Sequence, residues 1–589
     1  MKIKFKNEFE KNETLPPKKL IEIILKDRGI EDISDFIHPK DPLKISLGDF
    51  GRKYPDLIKK VIKILKKARE RNEMIVVYTD YDADGITGGA ILWETLFLMG
   101  FKVMPYVPDR RKEGYGFSIT GIDNVIKSYN PSLIISVDHG ITKVNEIEYA
   151  KSKGIKVIVS DHHLKAEKIP KADAIFHIPV LSGSGVAYFF TKEIFNRLKS
   201  SVSNKAIVDK LTDNFSTDYL SLASIGTIAD LVPLIGPSRS VAKYGLEVFP
   251  KVKRYGIKHI LKQAGIEGKE ITPYEVGFII APRINAVGRL SNAIDALRLL
   301  CTTDNKRAFD LAQRIGDLNS KRQDIVERSV DEAKEMINKK YLKGNKLSDI
   351  KEDRLNNFIP KILILTSDSW SEGIIGLIAS KLTEEFYRPT IVMTKNDGHY
   401  KASARSIPSF HITNFLRSLK KYLVDVGGHA QAAGFTIEAE KLDGFIKSTI
   451  SKANKIIKEK DLEKVIIADI SIPISKISLP LVENLQALEP FGIGNPKPIF
   501  LSKAIVTEAR LFGKDNNHLK IFVKDTDDNK TEESDRHPFE LIAFHIGELF
   551  KDLSRDQEMH LVYSVDINSW NGKKEVRGIV RYWEKIKSK

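Results

Sequence analysis

Cysteine is almost absent from this chain, and long apolar runs are absent altogether. Cys301 is the only cysteine among 589 residues, which excludes intramolecular disulfides and zinc sites built on several cysteines. No stretch approaches the roughly 18–20 apolar residues that span a bilayer. The charged start, MKIKFKNEFEKNE, lacks the apolar core of a secretory signal. We therefore expect a cytoplasmic protein that makes no use of a membrane.

The length and charge of the chain point to several domains and favour an anionic partner. At roughly 100–200 residues per domain, about three or four domains are expected, and the apolar content of 42% is ordinary for a globular protein. The formal net charge is +16. Such an excess favours a polyanion such as nucleic acid, although lysine enrichment for solubility explains it equally well.

Hydrophobic patterning in the first third predicts alternating strands and helices. Near-continuous apolar strands in such an alternation indicate a parallel sheet covered by helices, and functional residues of these sheets gather beyond the carboxyl ends of the strands. The predicted strands cover residues 74–80, 101–107, 132–138 and 155–161, and the predicted helices cover residues 56–72, 88–99 and 143–152.

The remainder of the chain predicts three further segments. Residues 291–340 have long helical patterning, and residues 339–358 form a polar, plausible linker. A second α/β pattern runs from 361 to about 460. From 465 onward, short strands and turns without convincing helices predict a small β-barrel, in which residues 524–537 form a polar surface loop.

Carboxylates and histidines follow three of the four predicted strands. Each alone has a common structural explanation, such as a helix cap or a surface histidine, but three successive strand-end clusters are hard to obtain by chance. Asp80, Asp82 and Asp84 follow the first strand, Asp138 follows the third, Asp161, His162 and His163 follow the fourth, and Asp230 follows an apolar helix.

Carboxylates that converge at one sheet edge repel one another unless cations neutralise them. Oxygen-rich ligands with one or two imidazoles suit Mn²⁺ or Mg²⁺, and two such ions roughly 3.5–4 Å apart can clamp a reacting phosphate. The sequence DYDADG also resembles part of a calcium loop, but the glutamate at loop position 12 is missing. The pattern therefore predicts a two-metal nuclease that cuts phosphodiester bonds.

The motifs themselves resemble a known superfamily. DYDADG, VDHG, SDHH and GTIAD are similar to the four metal-site motifs of the DHH phosphoesterases. PRINAVGRL, LNSKRQ, WSEGIIGLIASKL, ASARS, GGHAQAAGF and LEPFGIGNPKPIF together resemble the RecJ family of single-strand-specific exonucleases. The resemblance spans about residues 50–585, in the family's order.

The resemblance implies an α/β fold with a specific division of the chain. An N-terminal extension over residues 1–60 would precede a parallel-sheet DHH catalytic domain over 61–290. A connecting long helix and linker over 291–358 would lead to an α/β DHHA1 substrate-binding domain over 359–460. A C-terminal OB-fold β-barrel for binding nucleic acid would occupy residues 461–589.

The resemblance also implies an activity: 5′→3′ exonucleolytic hydrolysis of single-stranded DNA with two Mn²⁺ or Mg²⁺ ions. The products would be nucleoside 5′-monophosphates, and the processes would be DNA repair and recombination. Single-stranded DNA would be the main partner, with a single-strand-binding protein and a helicase as protein partners. The family default is a monomer.

Roles for individual residues follow from the resemblance only. Asp82 and Asp138 would hold one ion with Asp80 nearby, and Asp84, Asp138, His162 and Asp230 would hold the second, so that Asp138 bridges. His163 would touch the scissile phosphate, and Asp161 would orient an imidazole. Which of the two histidines is the direct ligand stays open.

The resemblance places basic and small residues around the substrate. Arg110 would meet the terminal phosphate, because the planar guanidinium suits bidentate phosphate binding. Ser403, Arg405 and His429 would line the facing DHHA1 pocket, and Arg283, Asn285 and Arg289 would line the catalytic cleft.

The chain departs from the family pattern at two places. His139 stands where the family commonly has cysteine or asparagine, and a shortened stretch with His177 precedes the SGSGVA segment. In the barrel, Tyr563, Trp570 and Lys520 are candidates for contacts with a strand, but each could equally be core or surface.

Three alternative functions accompany this interpretation. One is a DHH phosphodiesterase acting on short RNA oligomers or cyclic dinucleotides, although such enzymes are usually shorter. Another is a non-catalytic replication scaffold with the same fold, against which the full ligand set argues. The third is a family-II pyrophosphatase, for which the basic charge and the barrel would have no purpose.

Overall fold

The computed structural model describes residues 2–10, 16–342, 358–526, 538–570 and 572–586. The chain divides into two compact units, one formed by residues 1–45, 231–246 and 465–589 and the other by residues 46–230 and 247–464. Within the described ranges, no helix combines the length and the apolar character that crossing a membrane requires.

The strands fall into three sheets. In chain order they are β1 (Lys2–Glu8), β2 (Ile75–Thr79), β3 (Val103–Tyr106), β4 (Leu133–Val137), β5 (Lys156–Asp161), β6 (Ala174–His177), β7 (Leu363–Thr366), β8 (Thr390–Asn396), β9 (His399–Arg405), β10 (Leu423–Gly428), β11 (Ala432–Glu438), β12 (Val465–Ser471), β13 (Phe500–Phe512), β14 (His518–Asp525), β15 (Phe539–Ala543), β16 (Glu558–Trp570) and β17 (Lys573–Lys585).

The α-helices are distributed over both units. In chain order they are α1 (Pro17–Asp27), α2 (Ile33–Ile37), α3 (Tyr54–Glu70), α4 (Ala83–Leu98), α5 (Ile119–Tyr129), α6 (Val144–Ser152), α7 (Gly183–Leu198), α8 (Lys205–Ser216), α9 (Asp218–Ala229), α10 (Gly236–Glu247), α11 (Tyr255–Gln263), α12 (Ala281–Leu290), α13 (Ile294–Cys301), α14 (Asn305–Ile337), α15 (Ile375–Phe386), α16 (Ile412–Arg417), α17 (Leu442–Ile456) and α18 (Leu479–Leu485).

The first sheet of the larger unit is fully parallel, in the order β3-β2-β4-β5-β6. Every residue of β2 and β4 is buried, which explains their unbroken apolar sequences. The chain goes from β2 to β3 on one side and then to β4 on the other, so the order reverses between β2 and β4. A reversal of this kind opens a crevice at the carboxyl ends of the two strands. The four predicted strands are confirmed, whereas β6 was not predicted because four residues carry little periodicity.

Helix α4 begins five residues before the predicted start at 88. Its N-cap is Asp82, whose Oδ1 accepts hydrogen bonds from the backbone N–H groups of Asp84 (3.1 Å) and Gly85 (3.0 Å). The first turn is buried on all sides, so it lacks the amphipathic period by which helices are detected in sequences. Helices α7 and α9 pack against α4 and are buried in the same way.

The predicted helical stretch over 291–340 is confirmed, but it is divided. Helix α13 ends at Cys301, and α14 then runs for 33 residues from an N-cap at Asp304. A π-helical stretch, Asn338–Leu342, continues into the predicted linker. Residues 343–357 of that linker lie outside the described residues.

The second sheet of the same unit has the order β10-β11-β9-β8-β7. Strands β7 and β8 are parallel, and the remaining neighbours are antiparallel. Helix α15 packs against β8 and β9. The predicted second α/β pattern is therefore confirmed, with β9 at the centre of its sheet.

The smaller unit contains a closed, OB-like barrel. Strands β13, β14, β15, β17 and β16 pair in succession, and β13 also pairs with β16, which closes the ring. The N-terminal strand β1 pairs in parallel with β12. The predicted barrel is confirmed, but the expectation that this region lacks helices is wrong, because α18 buries Leu481, Val482 and Leu485. A helix of seven residues is too short for a periodic signal.

Two barrel side chains have structural partners. Tyr563 is fully buried, and its hydroxyl lies 2.8 Å from that of Ser502, so Tyr563 is a core residue. Lys520 forms an ion pair with Glu540 at 3.1 Å. The side chain of Trp570 lies outside the part of the chain that the structure describes. Residues 524 and 525 of the predicted surface loop belong to β14, and residues 527–537 lie outside the described residues.

Candidate metal and phosphate site

The strand-end residues converge at the reversal in the first sheet. Asp80 directly follows β2, Asp138 follows β4, and Asp161 ends β5, so neighbouring strands deliver the three clusters. Three groups could each hold a cation, with ligand atoms within 4.8 Å of one another. They are Asp80 with Asp82 and Asp138, Asp84 with His162 and Asp230, and Asp138 with His162 and His163.

Asp138 lies at the centre of these groups and adopts a strained backbone. Its φ is +68°, a region that non-glycine residues rarely occupy and that is concentrated at functional sites. Its Oδ1 lies 3.2 Å from His162 Nε2 and 3.8 Å from His163 Nδ1. A Cβ at Gly183 would overlap the Asp138 carboxylate, so helix α7 can begin there only with glycine.

Asp84 is held by the N-terminus of α7. Its carboxylate accepts hydrogen bonds from the backbone N–H groups of Gly183 (2.6 Å) and Ser184 (2.8 Å), which is the favourable end of the helix dipole for an anion. A Cβ at Gly226 on α9 would also overlap Asp84. The small residues of the SGSGVA and GTIAD motifs therefore allow three helices to close around one carboxylate.

Asp161 is saturated with hydrogen bonds and does not belong to any of the three groups. Its carboxylate accepts from the backbone N–H of Ile141 (2.8 Å) and from the backbone N–H groups of His162 (2.7 Å) and His163 (3.0 Å). It also bonds the His163 ring at Nδ1 (2.8 Å). Burial alone would raise the pKa of Asp161, but the bonds from His163 and Ile141 hold that pKa below its usual range. Asp161 therefore orients the neighbouring imidazole.

The two histidines differ in what their nitrogens contact. His162 Nε2 has no hydrogen-bond partner among the described residues and lies 3.2–3.9 Å from oxygens of Asp138, Asp230 and Asp84. His163 uses Nδ1 for Asp161, and its Nε2 lies 3.1 Å from the Tyr115 hydroxyl. Burial lowers the pKa of His163, but the bond to Asp161 and nearby carboxylates raise it to about 9.

The carboxylates of the cluster are crowded together in a buried position. Burial, and after it the charge of neighbouring carboxylates, raises the pKa of Asp80, Asp82 and Asp138, and raises that of Asp230 to about 8. Both oxygens of Asp80 are buried without a hydrogen-bond partner among the described residues. Divalent cations would supply the missing positive charge, so this donor set fits Mn²⁺ or Mg²⁺.

Three of the predicted arginines form a basic group without acidic partners among the described residues. Arg405 Nη1 donates to Ser403 Oγ (3.1 Å) and to the Ala404 carbonyl (2.9 Å). Arg289 Nη1 donates to the Gly373 carbonyl (2.9 Å). Arg110 lies over the Tyr81 ring, 5.1 Å from its centre.

These arginines lie close enough to affect one another and the carboxylates. Burial and then the charges of Arg110, Arg322 and Arg405 lower the pKa of Arg289 to about 10. Arg110 also opposes the rise in the pKa of Asp80. A phosphate placed between these arginines and the metal-type cluster can be bound by the arginines and by the metal ions together.

The remaining predicted residues have varied surroundings. Asn285 Oδ1 accepts from the Ala83 N–H (2.7 Å) and so holds the first turn of α4. Arg283 donates to Gln263 Oε1 (2.9 Å) and to the Ile279 carbonyl (2.8 Å). His429 is exposed in the turn between β10 and β11, and partial desolvation, followed by the charge of His163, lowers its pKa.

The sequence motifs did not identify Tyr115 as a site residue. Its hydroxyl contacts His163 Nε2 and donates to the Asp138 carbonyl at 3.3 Å. Gly114 and Gly116 flank it with φ of +82° and +62°, conformations that favour glycine. A lone aromatic between two glycines in KEGYGF was the available signal.

The two unusual histidines have structural partners. His139 points into a pocket with Tyr78 and Phe117, and its Nε2 lies 3.0 Å from the Tyr78 carbonyl. His177 Nε2 lies 2.7 Å from the His163 carbonyl. The first departure thus leaves the metal-type ligands unchanged, and the second contacts the backbone of one site residue.

Comparison with known proteins matches this geometry. Family models match at residues 74–227 (DHH family, N-terminal domain), 360–455 (DHHA1 domain) and 468–582 (RecJ OB domain). The single-stranded-DNA-specific exonuclease RecJ of Bacillus subtilis (strain 168) is 32% identical over 95% of this chain and 67% of the relative. The protein of the same name from Haemophilus influenzae is 30% identical over 90% of this chain and 91% of the relative.

A solved structure extends the likeness to the whole fold. The crystal structure of RecJ in complex with Mn²⁺ from Thermus thermophilus superposes with a TM-score of 0.76 and 26% identity, covering 100% of this chain and 80% of that one. The parallel sheet, its ligand cluster and the second α/β domain define a protein of the DHH phosphoesterase class. Within that class, the chain belongs to the RecJ family.

Proposed function

We propose that this protein is a single-stranded-DNA-specific exonuclease that hydrolyses phosphodiester bonds with two divalent ions, Mn²⁺ or Mg²⁺. It degrades the strand from 5′ to 3′ and releases nucleoside 5′-monophosphates, in DNA repair and recombination. The observation that carries the proposal is that buried carboxylate oxygens without a hydrogen-bond partner lie near arginines without an acidic partner, both judged within the described residues. Relatives named single-stranded-DNA-specific exonucleases support the choice of substrate.

The ligands divide into two sets that share Asp138. Asp80, Asp82 and Asp138 hold one ion, and Asp84, His162, Asp230 and Asp138 hold the other. We assign His162 as the direct ligand because its Nε2 is free and lies near three carboxylates. When bound, the two ions polarise the phosphate and lower the pKa of the attacking water.

The protein's own side chains bind and orient the substrate. His163, whose ring is oriented by Asp161, contacts the scissile phosphate. Arg110 and Arg405 bind the terminal phosphate, with Ser403 and His429 beside them. Arg289, Arg283 and Asn285 line the cleft, where Asn285 also secures the metal-binding turn through Ala83.

The proposal includes the division of the chain and its cellular setting. We assign residues 61–290 to the catalytic domain, 359–460 to the DHHA1 domain and 461–589 to the nucleic-acid-binding barrel. Residues 1–60 form an N-terminal extension, and residues 291–358 connect the catalytic domain to the DHHA1 domain. We further propose a cytoplasmic monomer that acts with a single-strand-binding protein and a helicase.

The test uses a 30-mer labelled at one end, incubated with Mn²⁺ as DNA single strand, duplex and RNA, and with a 5′-phosphate or a 5′-hydroxyl. We expect mononucleotides to leave the 5′ end of the DNA single strand, whereas the duplex and the RNA persist. Omission of the divalent ion should abolish the reaction.

Other outcomes would contradict the proposal in distinct ways. Cleavage restricted to di- to pentamers would indicate a short-oligomer phosphodiesterase. Strand binding without cleavage at any metal concentration would indicate a non-catalytic scaffold. Release from the 3′ end would overturn the assignment of Arg110 and Arg405 to a 5′-terminal phosphate.

A further inference from the structure

One arginine near the cleft lies in a motif that the proposed site does not include. Arg322 belongs to LNSKRQ on helix α14 and is half-buried. Its Nε is buried without a hydrogen-bond partner, and within the described residues its guanidinium forms no ion pair. By contrast, Arg314 on the same helix pairs with Asp295 at 3.0 Å.

The neighbours of Arg322 are cations. Helix α14 packs against α12, which carries Arg283 and Arg289. Arg283 is fixed by Gln263 Oε1 and the Ile279 carbonyl. The pKa of Arg322 is lowered by burial and then by the charge of Arg283, while Arg322 in turn contributes to lowering that of Arg289. Placing cations together in partly buried positions is unfavourable unless an anion lies among them.

These arginines extend to the proposed site. Arg289 lies near enough to Arg110 and Arg405 for their charges to lower its pKa, and Arg110 lies near enough to Asp80 to oppose the rise in the pKa of that carboxyl. A nucleic-acid strand carries one phosphate per nucleotide, so a strand bound at its terminal phosphate presents further phosphates at successive positions. Neighbouring arginines that have no acidic partner among the described residues suit the phosphates of one strand.

We propose that Arg322, beside Arg283, binds an internal phosphate of the single strand, separate from the terminal phosphate at Arg110 and Arg405. The ligand is a non-bridging phosphodiester oxygen, and the contact carries no base preference. The inference rests on the proposed function, because it names a further subsite for the same strand.

The test compares the Michaelis constant (KM) of wild type, Arg322→Ala, Arg322→Lys and the control Arg314→Ala on a 5′-phosphorylated 12-mer with Mn²⁺. Loss of a charge-assisted contact should raise KM about tenfold in Arg322→Ala with little change in kcat. The slope of log affinity against log salt should fall by about one. Arg322→Lys should keep the slope, and Arg314→Ala should match wild type in both quantities.

A scan with neutral methylphosphonate linkages identifies the phosphate. Each 12-mer carries one such linkage, and wild type should lose affinity at every contacted position. In Arg322→Ala, one of those positions should become insensitive, because the contact is already absent. Arg314→Ala should reproduce the wild-type scan.

Two results would overturn the inference. One is a KM unchanged in Arg322→Ala, and the other is a methylphosphonate profile parallel to wild type at every linkage. Thermal midpoints equal to wild type in the metal-free variants exclude misfolding as the cause of any loss. If wild type itself cut no single strand, the proposed function would fall instead, so the two failures are distinguishable.

Discussion

Buried charged side chains differ in their hydrogen-bond partners between two regions of this protein. In the smaller unit, Arg239 is 0% exposed and donates to the carbonyls of Phe36 (2.6 Å), Glu489 (2.7 Å) and Pro490 (3.3 Å). Asp525 accepts from the N–H groups of Ile474 (2.7 Å) and Ser475 (3.1 Å). Each of these charges is matched by polar groups of its own unit.

In the metal and phosphate site, several buried polar atoms have no such partner among the described residues. Asp80 has no donor for either oxygen, and His162 Nε2 faces carboxylates without a hydrogen-bond partner among the described residues. Arg289 and Arg405 bond only to carbonyl and hydroxyl oxygens of the described chain. A matched buried charge organises the fold, whereas an unmatched one indicates a ligand that completes it.

The largest expected effect is on cleavage, and it tests the unmatched region directly. Asp138→Ala should lower the single-turnover rate at least about 1,000-fold, because both proposed ion sites lose a shared ligand. Binding of the single strand should be partly retained, since the arginines remain. Quenched-flow cleavage and fluorescence anisotropy measure the two quantities.

Asp209→Asn, at an exposed position, is the matched control and should leave both unchanged. Cleavage retained in Asp138→Ala would contradict the bridging role.

The next effect concerns the matched region. Arg239→Met should destabilise the smaller unit by about 3 kcal/mol, because the carbonyls of Phe36, Glu489 and Pro490 each lose a hydrogen bond from a charged donor. Hydrogen exchange of the β13 and β16 amides reports this free energy.

Arg510→Met is the control, since Arg510 is exposed, forms an ion pair with Glu508 and lies over the Phe522 ring at the surface. If the two substitutions were equally mild, the carbonyl contacts of Arg239 would contribute little to stability.

A smaller effect shows whether Arg405 binds the substrate or only supports the fold. Arg405→Ala should lower kcat/KM for a 5′-phosphorylated strand roughly 10- to 100-fold, because a charge-assisted contact is lost. The loss on the 5′-hydroxyl strand should be much smaller. An equal loss on both strands would show that Arg405 acts through the fold and not through the terminal phosphate.

The smallest effect is the pH dependence of stability without metal. Asp80, Asp138 and Asp230 have raised pKa values when folded, that of Asp230 reaching about 8. Between roughly pH 4 and pH 8 these carboxyl groups therefore bind more protons in the folded chain than in the unfolded one, so their contribution to stability falls as pH rises. Above roughly pH 6.5, His163, with a pKa of about 9, acts in the same direction. Below roughly pH 6.5, His139 and His162, whose pKa values are lowered by burial, oppose this trend.

Thermal midpoints measured in EDTA should fall by a few degrees between pH 6.5 and pH 8. Saturating Mn²⁺ should raise the midpoint more at pH 8, because ligands must be deprotonated to bind. A metal-free midpoint that is flat or rises across this range would contradict the raised pKa values of the carboxylates in the cluster.

Much of the fold follows from local pattern. Strands β2, β4 and β5 are buried on both faces. Their apolar runs and the acidic residues that follow them could therefore be predicted from the sequence. Helix α18 and strand β6 were missed because each is short. The start of α4 was misplaced because its first turn is buried all round and lacks an amphipathic period.

The candidate site also contains residues that the sequence predicts and residues that only the packing brings together. Its acids and histidines lie at strand ends, where chain order alone brings them to one edge of the sheet. The contact of Tyr115 with His163 depends on a loop conformation set by two glycines. The position of Arg322 beside the other arginines depends on the packing of α14 against α12, which no local sequence pattern predicts.

By itself the sequence determined which residue types could bind metal and phosphate, and the parallel order of the strands that carry them. Only the tertiary structure decided which charges are matched. Asp161 and Asp80 both lie at strand ends, yet four hydrogen bonds saturate Asp161 and none reaches Asp80 within the described residues. The physical reason is that the fold sets the conformation of the turn after β5, which directs the N–H groups of His162 and His163 at Asp161, and packs against it the segment that supplies the N–H of Ile141.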